Sequence, residues 1–284
     1  MIKDIFKLQN SFGRHIAFPL TILAYLGFLG FINVMMFIPG NRVSDMGHFG
    51  FVYTGETHDL LHELIFALIV GMAAVGLLTQ LRKPFENFAG QLVALIAWIA
   101  MILTAAITGN FVPQPLFIIF GGLTILATVL HPKGRGLFNW FSTARINRAL
   151  AGLVIIAAIP LLILAFTNIN LQIAGGGTAG FFDHRPPTKN VVAGNDHDQG
   201  HSTPGHYRNL AALSLIIILV GLLASFRPSG WRIAARVAGS LPILLGLASI
   251  ILPKAESSLG IVWGLVAIIW GIAFITTAEL TKSR

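Results

Sequence analysis

The chain has no cysteine, and that absence removes several chemistries at once. Disulfides, thiolate metal sites, CxxC redox centres and covalent heme attachment through CxxCH are all excluded, so ligands must come from His, Asp, Glu or Met. Charge is scarce as well. Only 11% of the 284 residues are charged, while 55% are hydrophobic. A soluble domain carries about 25% charged residues to keep its surface wetted. With a mean hydropathy of +0.78, one ordinary core cannot hold this much apolar surface, and lipid must be the main solvent. No Walker, Rossmann, HExxH or GxSxG pattern occurs. No lysine lies mid-span to form a retinal Schiff base, and no string of buried carboxylates marks a proton pathway.

What is present is a series of apolar runs at roughly 16–39, 60–81, 90–109, 115–130, 149–173, 209–226, 233–252 and 259–279. A helix needs roughly 20 apolar residues to cross a bilayer, so the pattern predicts an all-α polytopic membrane bundle of eight transmembrane helices. The 115–130 run is the shortest. The run from Ile16 ends in MMFIPGNR, which offers no small-residue cleavage site, so it is expected to remain as the first span.

The basic residues set an orientation. The N-terminal segment, the loops after the second, fourth and sixth spans, and the C-terminus hold 14 of the 19 Lys and Arg residues. By the positive-inside rule this side is cytoplasmic, with both termini, in a multi-pass protein of the cell membrane. The net charge of +8 therefore reflects sidedness, and no nucleic-acid partner is expected. The partners expected are the bilayer and other membrane subunits or further copies of the chain. Eight of eleven acidic residues and seven of nine histidines fall on the other side.

Two segments look alike. HELIFALIVGMAAVGLLTQLRKP (62–84) and HYRNLAALSLIIILVGLLASFRP (206–228) each begin with His and run apolar through GLL to Arg and Pro. Each follows one span and precedes two, which predicts a 4+4 parallel internal repeat of 1–142 and 143–284, related by an axis along the membrane normal. Any two apolar helices closed by an Arg-Pro turn would share some of this likeness. In a true repeat, His62 and His206 occupy near-equivalent positions.

The histidines cluster. THDLLHE places His58 and His62 four residues apart on one helix face, with Glu63 beside them to ligate or orient. The alternative is an ordinary polar helix start. The extracytoplasmic His-rich loop 174–208 carries His184, His197, His201 and His206, with GGG and PP interruptions that read as a flexible cap. These patterns nominate His58, His62, Glu63, His197, His201 and His206 as metal ligands. Imidazole suits zinc, copper or iron. His62 and His206 are the outer pair that could ligate heme b. His15 and His131 read as interfacial residues of the cytoplasmic side. Asn168, Asn170 and Gln172 read as interfacial or helix-packing residues that could extend the outer polar site.

This histidine and carboxylate usage resembles that of zinc-dependent seven-helix membrane hydrolases such as the alkaline ceramidases. The span count, the duplication and the missing ordered motif set depart from that pattern, and no residue is carried over. The expected function is a transition-metal or heme site at the extracytoplasmic face, in a redox or hydrolytic role. The alternatives are a noncatalytic subunit of a larger membrane complex and a pseudo-symmetric transporter that captures a metal ion.

Overall fold

The structure, a computed structural model, describes residues 16–32, 59–110, 115–134, 136–137, 146–174, 205–255 and 257–281. Among them lie eight helices: α1 (Ile16–Ile32), α2 (Asp59–Arg82), α3 (Phe88–Thr108), α4 (Pro115–Leu130), α5 (Arg148–Ala174), α6 (His206–Phe226), α7 (Trp231–Ile251) and α8 (Gly260–Leu280). Six of them, α2, α3 and α5 to α8, contain stretches long and apolar enough to cross a membrane; α1 and the apolar part of α4 are shorter. A helical bundle is what lipid demands, because every backbone amide then finds its partner within its own segment. The division proposed at 142 and 143 lies outside the described residues.

Local sequence sets the helix ends. Gly109 takes the left-handed conformation after α3 (φ 67°), which frees the chain to turn without a Cβ clash. Asn147 caps α5: its side-chain oxygen accepts the amides of Ala149 (3.0 Å) and Leu150 (3.2 Å). Arg227 closes α6 in the left-handed region, followed at once by Pro228, which cannot continue a helix.

Burial sorts the helices into two groups. In α6, 72% of the apolar window is buried, and α2, α3 and α7 follow at 56–61%; α5 and α8 reach only 28% and 22%. The inner four therefore make the core, and α5 and α8 turn one apolar face outward. Isoleucines 155, 156, 159 and 163 on α5 and Val262 and Ile269 on α8 are exposed, which is costly in water and neutral in hydrocarbon. Tyr25, fully buried, fastens α1: its hydroxyl donates to the Val70 carbonyl of α2 (3.2 Å), and its ring packs on Phe120 of α4.

Helices α7 and α8 pack backbone against backbone. Gly239 faces Gly271 and Gly246 faces Gly264, two contacts seven residues apart on each helix. A Cβ on Gly246 would stand 2.5 Å from the Gly264 carbonyl oxygen, and one on Gly264 would stand 2.8 Å from that of Gly246. No larger residue fits without separating the helices. In lipid, where apolar burial supplies little drive, such backbone approach is what gives van der Waals contact.

At one end of the bundle, called here the basic end, the α2–α3 and α6–α7 turns meet. The Ala89 amide donates to the Ser229 carbonyl (3.0 Å), the Ser229 hydroxyl donates to the Glu86 carbonyl, and Gly230 lies against Asn87. Asn147 adds a second tie there, donating its amide to the Ser225 carbonyl (2.8 Å) and its Nδ2 to the Thr281 hydroxyl (3.0 Å). The Arg236 guanidinium donates to Glu279 (2.7 Å), a pair half in solvent that contributes little on its own.

Candidate functional site

The opposite end holds a buried polar network built from α3, α5 and α6. Gly205 (φ 80°) turns the chain into α6, which opens with His206, Tyr207, Arg208 and Asn209. His206 is half-buried; Tyr207, Arg208 and Asn209 are buried. The Arg208 side chain folds back over Gly205, where any Cβ would come within 2.8 Å of its guanidinium carbon. Glycine is favoured there chiefly by its φ, with the movable arginine above it adding a second, weaker constraint.

Arg208 gathers carbonyl oxygens. Its Nη1 donates to the Asn110 backbone carbonyl (2.7 Å) and lies 3.5 Å from the Asn110 side-chain oxygen; Nη2 lies 3.4 Å from Asn209 Oδ1. Its backbone amide donates to Gln172 Oε1 on α5 (3.2 Å). One turn below Gln172, the Asn168 Nδ2 donates to the Leu164 carbonyl of its own helix (2.9 Å), while Oδ1 is buried with no partner among the described residues. Asn168 and Gln172 are therefore buried among the helices, as the helix-packing reading of this pattern expects.

A second buried polar centre lies at the basic end, just beyond α4. His131 is wholly inaccessible to solvent, which corrects its reading as an interfacial residue. Phe18 of α1 and Phe88 of α3 meet its ring edge-on, with centroids 5.1 and 6.4 Å away. The Lys133 amide donates to Nδ1 (3.2 Å), so the proton sits on Nε2, 3.4 Å from Gln80 Oε1. Gln80 in turn donates to the Asn87 carbonyl (2.6 Å), which links the histidine to the interlocked turns. Burial lowers its pKa to about 4; a hydrogen bond to the Pro84 carbonyl opposes that shift, and the Lys133 charge adds to it. His131 is neutral at pH 7 and acts as a structural wedge.

Of the nominated ligands, His58, His197 and His201 lie outside the described residues. His62 and Glu63 fall on the first turns of α2, and their side chains also lie outside the description. His206 is the one whose placement is described, two residues from Arg208. Among the described residues, no three His, Asp or Glu side chains gather as a metal-binding group. Sequence reasoning counted Arg208 only as a charge on one side and passed over Asn110 and Asn209. The available signal was an Arg-Asn pair two and three residues inside an apolar helix, where a charge is expensive unless it serves a purpose. No protein family, curated protein or solved structure matches this chain.

Proposed function

We propose that this is an eight-span protein of the cell membrane, made of two four-helix halves, that holds a transition metal or heme b at its extracytoplasmic end for redox or hydrolytic chemistry. The observation that carries the reading is the buried network of Arg208, Asn209 and Gln172, two residues beyond His206 in the chain, with the buried Asn168 one turn further along α5. A buried cation at the mouth of a membrane helix is a functional group before it is a structural one. In this reading His62 and His206, or the larger set His58, His62, Glu63, His197, His201 and His206, supply the ligands. The Arg208 network forms the floor. Its guanidinium would hold an anionic group, whether a heme carboxylate or the oxyanion of a metal-bound substrate.

The repeat draws support from the basic end. The two turns that sequence comparison made equivalent, at Lys83-Pro84 and Arg227-Pro228, lead into segments that hydrogen bond to one another, as equivalent elements near a pseudo-two-fold axis would. Both termini lie at this end in the proposed topology, which the positive-inside rule makes cytoplasmic.

Elemental analysis and an optical spectrum of the purified full chain test the function. Near-stoichiometric zinc, copper or iron, or a Soret band, is expected, and His206→Ala should remove it while His131→Leu leaves it. Metal-free, colourless protein that takes up none of these ions or heme on addition would overturn the reading in favour of a noncatalytic membrane subunit.

A further inference from the structure

The structure holds an open groove of about 330 Å³ between α5, α7 and α8, floored by Ile217 of α6 and lined by apolar side chains up to Leu164, one turn short of Asn168. Ligand pockets begin at about 300 Å³. We propose that this groove is a binding site for one acyl chain of a membrane lipid, drawn from the leaflet on the side of His206.

The gap exists because small or ring-limited residues face one another across it: Ala157 and Pro160 on α5, Pro242 on α7, Ala267 on α8. Its length fits one leaflet. The lining runs along α8 from Leu259 to Trp270, roughly 16 Å at 1.5 Å per residue. Half of a hydrocarbon core of about 30 Å is about 15 Å. Its mid-membrane end is bridged, because the Trp270 indole N–H crosses from α8 to donate to the Leu153 carbonyl of α5 (2.9 Å) and its ring stacks on Phe274. Trp263 stands towards the other end. The groove is continuous with the lipid-facing surface, since Ile156 and Ile159 belong both to its wall and to the exposed face of α5. A water-soluble ligand would find neither an aqueous route nor a polar partner. A hydrocarbon chain needs neither and fills space that would otherwise forfeit dispersion contacts.

Photocrosslinking tests this. The full chain is reconstituted in phosphatidylcholine vesicles containing a phosphatidylcholine with a mid-chain diazirine, irradiated, digested and mapped by mass spectrometry. Adducts should concentrate several-fold on the 156–164 and 263–270 stretches over the exposed Ile125 and Val129 of α4. Ala267→Phe, which fills the groove, should lower them several-fold, while Ile269→Phe on the neighbouring exposed face should not. If Ala267→Phe does not fold, Ala157→Leu fills the opposite wall and serves instead. Adducts no denser in the groove than on α4, adducts indifferent to filling, or a crosslinked dimer through these residues in place of lipid adducts would each overturn the proposal.

Discussion

The two ends of the bundle each bury an ionisable side chain, and they solve the problem in opposite ways. At the basic end His131 gives up its charge: burial between aromatic rings holds its pKa at about 4, and neutral partners suffice, the Lys133 amide as donor and the Gln80 and Pro84 oxygens as acceptors. At the other end Arg208 cannot discharge, because a guanidinium remains protonated at any ordinary pH. The chain must therefore supply oxygens, which it does from Asn110 and Asn209. A neutral imidazole can be a packing element. A buried guanidinium needs a purpose or a surrounding network, and this difference separates the end that fastens the helices from the end that we assign a ligand.

The largest expected effect comes from removing the arginine. Arg208→Met keeps the apolar stem but loses bonds worth about 1.5–3 kcal/mol each to a charged donor, so a total near 4 kcal/mol is expected. Arg208→Lys should recover only part of it, because an ammonium lacks the planar fork. Denaturant titration of the purified protein measures both. A loss below about 1 kcal/mol for Arg208→Met would mean that the carbonyls of Asn110 and Asn209 are as well served by water, and the contrast between the ends would collapse.

The histidine should show itself through pH. Its folded pKa of about 4 lies below the unfolded value of about 6.5, so between these values the unfolded chain binds more protons. Stability is full above about pH 6.5 and falls as pH drops towards 4, by about 3 kcal/mol in total. Measured in chelator, to remove any metal contribution, this component should be present in wild type and absent in His131→Leu. Equal pH profiles for the two proteins would place the histidine in contact with solvent.

A smaller effect separates two glycines that look alike in sequence, each opening a helix with positive φ. At Gly230 a Cβ would meet the backbone of Asn87, 2.8 Å from its Cα; at Gly205 it would meet the end of the Arg208 side chain. Backbone cannot move aside, whereas a long side chain can. Gly230→Ala should therefore cost about 2–3 kcal/mol and Gly205→Ala about 1 kcal/mol, the latter mainly for its φ. A reversed order in thermal unfolding would show that the arginine is the more rigidly held of the two neighbours.

How much of this was legible in the sequence follows the length over which each signal is summed. Membrane character rests on whole helices of twenty apolar residues and survives any local error. The Arg-Pro turns could be seen as equivalent, but not that the segments after them hydrogen bond to each other, since that depends on which helices are inner. Burial of His131 depends on Phe18, Phe88 and Gln80, which lie 113, 43 and 51 residues away in the chain and become its neighbours only through packing. The histidine clusters were visible as composition, yet composition does not fix where an imidazole sits; of the proposed ligands, the side-chain placement of His206 alone is described.

The last comparison lies within the polar end itself, between two amides one turn apart on α5. Gln172 accepts the Arg208 amide, so Gln172→Leu should cost about 1 kcal/mol. Asn168 differs. Its Nδ2 donates to a carbonyl of its own helix, and its buried Oδ1 meets no donor among the described residues. An unsatisfied buried acceptor carries a desolvation cost with no return, so Asn168→Leu, similar in size, should be neutral or slightly stabilising in protein stripped of metal and heme. The same substitution in protein as purified gives the sharper result. If a bound ligand donates to Oδ1, Asn168→Leu should lower the apparent melting temperature only when that ligand is present, since only the folded state binds it. Equal destabilisation with and without ligand would instead show that a protein donor already satisfies Asn168, and that this amide belongs to the fastening of the bundle along with His131.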